Sequence, residues 1–220
     1  MASAPDLAFV VKICGITNQE DATAAVEAGA DALGFNFYPK SPRYITPQRA
    51  REIIAAVPGA YFRVGVFVNP TEKELFEITE QLSLDVLQLH GNNCCPVSLS
   101  RPYRIWRSVA PGSEPAPNQH DAEAYLLDTP TPDFGGSGRT FDWRLATNGR
   151  NLAERHSYRI VLAGGLHASN VAEAIEMIKP WGVDACSCLE SSPGKKDPQK
   201  VRDFIHAARQ ATEQLTARNI

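Results

Sequence analysis

A chain of 220 residues suits one domain of barrel size or two small ones, with a sizeable buried core. Its net charge of -3 and pI near 6.0 leave no electrostatic footprint for nucleic acid or an anionic membrane. No apolar run approaches the ~18 residues of a membrane span, and no basic segment followed by an apolar one opens the chain. Five cysteines (Cys14, Cys94, Cys95, Cys186, Cys188) are odd in number and lack a secreted framework's spacing. The expectation is a soluble, cytoplasmic protein of a reducing compartment.

Residues 1–7 read as a short flexible N-terminus. The apolar run Phe9-Val10-Val11 then feeds a strand ending near Cys14, and Thr17 with Glu20 has capping-box spacing for a helix over 21–28, stopped by Gly29. Residues 31–37 form the second expected strand, and the proline-rich stretch 38–44 a loop. Thr46-Pro47 opens a helix to Ala56. A third strand covers 61–68, and a capping box at Thr71 and Glu74 starts a helix to about Gln81. Strand four spans 86–89 and stops at His90-Gly91; only 96–100 offers a following helix. Strand five covers 104–109, a short helix 119–124, and strand six 125–128.

A long loop over 129–140 contains Gly135-Gly136-Ser137-Gly138, which reads as a phosphate cradle or a flexible lid, and a weakly signalled helix starts near Trp143. Strand seven, 159–163, ends in Gly164-Gly165; Ser169 is the expected cap of a helix to Lys179. Strand eight covers 182–187, and Asp197-Pro198 opens a last amphipathic helix with Val201, Phe204, Ile205 and Ala208 on one face. Asp31-Ala32-Leu33, Asp85-Val86-Leu87 and Asp184-Ala185-Cys186 echo one another at strand entries, with gaps of two and four units of roughly 25–27 residues. Eight strands alternating with about eight helical segments, and no internal boundary, predict a single α/β domain, a (β/α)8 TIM barrel over residues 1–220. An open doubly wound sheet is the alternative, since strand order is not visible in sequence.

In a barrel the C-terminal strand ends share one rim, where ligands bind. Around it stand Cys14, Asn36, Asn69, His90, Ser108, Asp128, Gly164-Gly165 and Ser187. A thiol after strand one and a carboxyl after strand six could work as base and acid. Glycine-rich turns at strands seven and eight are where such barrels often hold a phosphate.

Lys12-Ile13-Cys14-Gly15-Ile16-Thr17 resembles the opening signature of the phosphoribosylanthranilate isomerases, enzymes of tryptophan biosynthesis. The resemblance continues through Gly34-Phe35, Tyr38-Pro39-Lys40-Ser41-Pro42-Arg43-Tyr44-Ile45, Arg63-Val64-Gly65-Val66-Phe67-Val68-Asn69 and Gln88-Leu89-His90-Gly91. Further along it includes Leu126-Leu127-Asp128-Thr129, Thr140-Phe141-Asp142-Trp143, Ala163-Gly164-Gly165-Leu166 and residues 190–197. Each piece is weak alone; in this order they are highly specific.

The resemblance implies an Amadori rearrangement of N-(5-phosphoribosyl)anthranilate, with no cofactor and no metal. Asp128 would be the general acid that opens the furanose, Cys14 the general base that takes the C2 proton, and Arg43 the partner of the anthranilate carboxylate. Gly164, Gly165, Ser187 and Cys188 would line the phosphate turns. A carboxyl of pKa ~3.9 is mostly ionised at neutral pH, so the acid role needs desolvation or substrate. A thiol of pKa ~8.5 supplies few thiolates, so some activation is expected.

Plainer readings compete. A free cysteine is most often small apolar filler, an aspartate after a strand is often a turn residue, and an arginine in a loop is usually solvated. The motif moves all three toward function. His90 fits a supporting hydrogen-bonding role better than that of a base, and Lys195-Lys196 reads as a solvated pair. His90 with Cys94 and Cys95 lacks zinc spacing. Partners reduce to a small phosphosugar substrate, with no nucleic acid or membrane; monomer and homodimer stay open.

The family's strand eight usually continues Val-Ser-Ser-Gly-Val-Glu, whereas this chain has Ala185-Cys186-Ser187-Cys188-Leu189-Glu190. If Cys188 inherits a left-handed glycine position, the cost is roughly 1–2 kcal/mol, and phosphate binding is expected to weaken. Barrel closure would also bring Cys14 near Cys186 or Cys188, close enough for oxidation to join them. Two other functions remain in view: another phosphosugar isomerase, such as that of histidine biosynthesis with its two aspartates, and a weakened metabolite-binding scaffold.

Overall fold

The computed structural model describes residues 8–91, 103–113, 122–128 and 158–218. Eight parallel strands close into a barrel in sequence order: β1 Val10–Cys14, β2 Ala32–Asn36, β3 Phe62–Val68, β4 Val86–His90, β5 Arg104–Val109, β6 Ala124–Leu127, β7 Arg159–Leu162 and β8 Gly182–Ala185. Closure pairs β1 with β8 in the register Val10↔Gly182 to Ile13↔Ala185. That settles the choice between barrel and open sheet. Among the described residues the helices are α1 Gln19–Glu27, α2 Pro47–Ala56, α3 Glu72–Gln81, α4 Val171–Ile178 and α5 Pro198–Arg218. The sequence-predicted helices at 96–100 and from 143, the loop over 129–140, Cys94, Cys95 and segment 1–7 lie outside the described residues.

Side chains alternate across each strand, so two cores form. Val11 and Ile13 of β1 face outward to the helices, with Leu33, Phe35, Leu87, Phe204 and Ile205 in one cluster. Val10 and Cys14 face the lumen with Ala32, Phe62, Val64, Trp106, Leu126 and Val161. Both faces of the sheet are buried, which is why its strands read as near-continuous apolar runs. Lys12 interrupts that run and is completely buried.

The local signals differ from the structure in instructive places. The Thr71 capping box is complete, with Thr71 accepting from Glu74 N and Glu74 returning a carboxylate to Thr71 N. Thr71→Ala is expected to cost about 1 kcal/mol, lowering Tm by roughly 2–4 °C in a thermal melt. Thr17 is not a cap. Its hydroxyl donates to Gly194 O, and Asn18, accepting from Asp21 N at 2.8 Å, caps α1 instead. Ser169 does not cap α4 either; its hydroxyl lies 2.9 Å from His167 Nδ1, and Asn170 precedes the helix. Ala124 belongs to β6 rather than to a preceding helix.

The aspartate echo holds for two members of three. Asp31 and Asp85 precede their strands and accept from Val11 N (2.7 Å) and Arg63 N (2.9 Å) of the strand before. Asp184 lies inside β8 and points into the lumen, where it meets Lys12. After β8 the chain makes a single 3-10 turn, Ser187–Leu189, and then a short antiparallel hairpin, β9 Glu190–Ser192 with β10 Lys195–Lys196, which no local signal in the sequence marks.

Candidate active site

Cys14 ends β1, with its side chain in the lumen at the C-terminal rim. Directly after it, Gly15 adopts φ +75, and the N–H groups of Gly15 and Ile16 both donate to Gly34 O at 3.0 Å. A Cβ on Gly15 would lie 2.9 Å from Cys186 Sγ and 3.0 Å from Arg43 Cγ, so the glycine serves both its turn and the close approach of these two side chains.

Arg43 is delivered by the loop after β2. Asn36 accepts from Tyr38 N and donates to Ser41 Oγ, which accepts from Arg43 N. The guanidinium then forks onto Glu190, Nε to Oε1 at 3.1 Å and Nη2 to Oε2 at 2.7 Å. Arg43 is therefore not a solvated loop arginine. Among the described residues Nη1 takes no hydrogen-bond partner. Burial works against the Glu190 carboxylate, but Arg43 and Lys196 together hold its pKa below the ordinary value.

Lys196 overturns the reading of Lys195-Lys196 as a solvated pair. Lys195 is exposed, but Lys196 is buried and reaches Glu190 Oε1 and Cys186 O, both at 3.1 Å, with Cys186 Sγ at 3.7 Å. Cys186, directly after β8, lies beside Cys14 on the lumen face of the neighbouring strand. Cys188 is instead half-buried in the 3-10 turn, and its φ is not positive. The left-handed strain expected there is absent, because the turn is right-handed.

Beneath Cys14 lies Lys12, whose Nζ is 2.8 Å from Asp184 Oδ1, with both side chains buried. Burial opposes the ammonium, yet Asp184, aided by Cys14, holds the Lys12 pKa above that of an ordinary lysine. A hydrogen bond donated by Cys14 S–H to Cys186, together with burial, raises the Cys14 pKa, while Lys12 pulls it down. His90, ending β4, is buried with Nε2 2.7 Å from Gln88 Nε2. Burial and the Lys12 charge bring its pKa down to about 4, so it stands neutral near pH 7.

Asp128 follows β6 directly and is half-buried. Four strands separate β6 from β1 in sequence order, but closure of the barrel shortens this to two, β8 and β7. Between them, Gly164 and Gly165 take φ +86 and +65, a turn pinned by Asn170, which donates to Gly165 O and accepts from His167 N. Of the two cysteines that closure was expected to bring toward Cys14, Cys186 is the one beside it; sequence reasoning missed Lys12, Asp184, Glu190 and Lys196 as the charged set around them. Lys12 alone carried a usable signal: a charge at a lumen-facing position of an otherwise apolar strand.

These features define a class: a parallel (β/α)8 barrel with a thiol, a carboxyl, a guanidinium and glycine-rich turns at the C-terminal rim, where barrels of this kind bind their ligands. Residues 11–207 match the family described as N-(5'phosphoribosyl)anthranilate (PRA) isomerase. The N-(5'-phosphoribosyl)anthranilate isomerase of Solibacter usitatus is 50% identical over 207 residues, covering 92% of this chain and 98% of that protein. That of Thermotoga petrophila is 46% identical over 210 residues, 90% and 98% of the two chains. The crystal structure of the Thermotoga maritima isomerase superposes with a TM-score of 0.78 at 40% identity, covering 92% of this chain and 99% of that one. Another, in complex with reduced 1-(o-carboxyphenylamino)-1-deoxyribulose 5-phosphate, gives 0.71 at 36%, with the same coverage. The chain belongs to the N-(5'-phosphoribosyl)anthranilate isomerase family.

Proposed function

We propose that this protein isomerises N-(5-phosphoribosyl)anthranilate to 1-(2-carboxyphenylamino)-1-deoxyribulose 5-phosphate, an aldose-to-ketose Amadori step of tryptophan biosynthesis that uses no cofactor. The observation that carries the reading is the thiol of Cys14 and the carboxyl of Asp128 on one rim, each at the end of a lumen-lining strand. Asp128 donates a proton to the furanose ring oxygen, the C1–O bond breaks, and a Schiff base forms to the anthranilate nitrogen. Cys14 thiolate takes the C2 proton; the electron pair moves into C1–C2 and the imine π electrons return to nitrogen. The resulting enolamine tautomerises to the ketone.

Arg43 suits the anthranilate carboxylate because its Glu190 fork fixes the guanidinium plane while leaving Nη1 for a ligand. The phosphate is assigned to the turns at Gly164-Gly165 and at Ser187-Cys188, where backbone N–H groups, as in other barrels of this class, meet an anion. His90 is neutral and buried, a support for the lumen rather than a proton carrier. The thiol at β1 weighs against a two-aspartate sugar isomerase, and the connected Arg43–Glu190–Lys196 set weighs against a scaffold that only binds.

The direct test is loss of phosphoribosylanthranilate fluorescence on adding purified protein; a rate no faster than buffer would overturn the assignment. The strand-eight departure has its own test. If the phosphate is held against the turn at Ser187-Cys188, glycine at 188 opens room for it, so Cys188→Gly is expected to lower KM about fivefold, the equivalent of roughly 1 kcal/mol, with kcat unchanged. Identical kinetics would show that the phosphate does not approach this residue.

A further inference from the structure

The resemblance places serine where this chain has Cys186, so a group that does not titrate has given way to one that does. Register fixes where it sits. Lys12↔Asp184 and Ile13↔Ala185 are paired across β1 and β8, and the next step sets Cys186 beside Cys14. Neighbouring strands are ~4.8 Å apart, and both side chains face the lumen, which sets the two thiols side by side.

The surroundings of the pair are unequal in charge. On the Cys14 side lie Lys12 and its partner Asp184. On the Cys186 side lie Lys196, Arg43 and Glu190, with Lys196 Nζ 3.7 Å and Glu190 Oε1 4.0 Å from Sγ. Cys188 lies in the following turn. Three cations thus face two carboxylates and two thiols. One proton lost from the thiol pair brings that cluster to neutrality, whereas a second would leave a buried excess of negative charge.

We propose that Cys14 and Cys186 share one proton, so that the resting base is a thiol–thiolate pair and Cys186 is a positioning residue that keeps an anion available to Cys14. The first proton leaves readily because the remaining S–H donates a hydrogen bond to the thiolate sulfur and Lys196 and Arg43 attract the charge. The second stays on to high pH, since two adjacent buried thiolates repel. The hydrogen bond with Cys14 and the nearby cations, working against burial, bring the Cys186 thiol down to about 6, in keeping with this order. When Cys14 takes the substrate's C2 proton the pair becomes a neutral dithiol, and no oxidant or further reactant is involved. The inference rests on the reading of Cys14 as the base.

Thiolate absorbance at 240 nm and the pH profile of kcat/KM test it together on the full chain, using wild type, Cys186→Ser, Cys186→Ala and Cys14→Ala. In wild type one thiolate per pair is expected to appear between about pH 5 and 7. Cys186→Ser and Cys186→Ala are expected to lose it and to move the acid limb of kcat/KM up by about one pH unit or more, a tenfold loss near pH 6. The alkaline plateau is expected to stay within about threefold, because a lone thiolate is a stronger base once formed. A merely structural role would lower the whole profile without moving its limb. Acid limbs and thiolate titrations that coincide with wild type in both Cys186 variants would overturn the proposal. Full activity in Cys14→Ala would overturn the assignment of the base itself, a distinguishable result.

Discussion

Asp128→Asn is expected to lower kcat about 10²- to 10⁴-fold, with Cys14→Ala falling in the same range, while both variants keep the wild-type melting transition. The amide keeps the shape of the carboxyl at the end of β6 but has no proton to give the ring oxygen. Alanine at 14 removes only a sulfur from a lumen position, a small packing loss beside the loss of the base. Because acid and base serve consecutive events in one rearrangement, the double variant is expected to lose little more than the worse single one. Single-turnover fluorescence decay with circular dichroism melts checks both halves. A variant that retains more than a tenth of wild-type kcat would remove its residue from the mechanism.

Lys12→Met is expected to destabilise the protein by roughly 3–5 kcal/mol, which for a chain of this size lowers Tm by about 10 °C or more. The cause is not the loss of an attraction alone. Lys12 and Asp184 are both buried, and removing the ammonium leaves a carboxylate in the lumen without its counter-charge. Lys12→Met with Asp184→Leu is expected to recover most of the loss, since two apolar side chains of similar size need no mutual neutralisation. A double variant as unstable as the single one would place the cost in packing instead. The sign with pH follows from the direction of the Lys12 shift. Its folded pKa lies above the ordinary 10.5, so the pair's contribution is complete below that value and is lost as pH rises through the folded pKa. Acid denaturation is thus not expected to report on Lys12. The single variant also removes the cation that draws down the Cys14 pKa, so its kcat/KM acid limb should move to higher pH.

Elements with strong local chemistry are legible from neighbouring residues alone. α2 begins at Pro47 behind the Thr46 cap, α3 begins behind the Thr71 box, and β5 spans Arg104–Val109, the bounds its own residues predict. These are short-range matters, decided by one hydroxyl, one proline ring or one alternating run. The two failed caps show the limit of the same logic. Thr17 has the right spacing, but Gly194, far along the chain, offers its hydroxyl a backbone carbonyl, and Asn18 takes over the helix. No local rule can weigh a partner that distant.

The rim residues divide in the same way. Sequence alone determined that a thiol ends strand one, that a carboxyl ends strand six and that glycines follow strand seven, because strand ends are marked by local turns. It also supplied the family signature beginning at Lys12, from which the roles of Cys14, Arg43 and Asp128 were expected. Closure let the sequence expect Cys186 or Cys188 beside Cys14; what only the tertiary structure decided is which of the two it is and which charges surround it. Closure of β8 on β1 sets Asp184 on Lys12 and Cys186 on Cys14, residues more than 170 positions apart. The hairpin of β9 and β10 folds Lys196 and Glu190 back over the same corner. Proton affinity depends on charges a few ångströms away, and those distances come from barrel closure, so the chemistry of Cys14 could be suspected from the chain but its electrostatic neighbourhood could not.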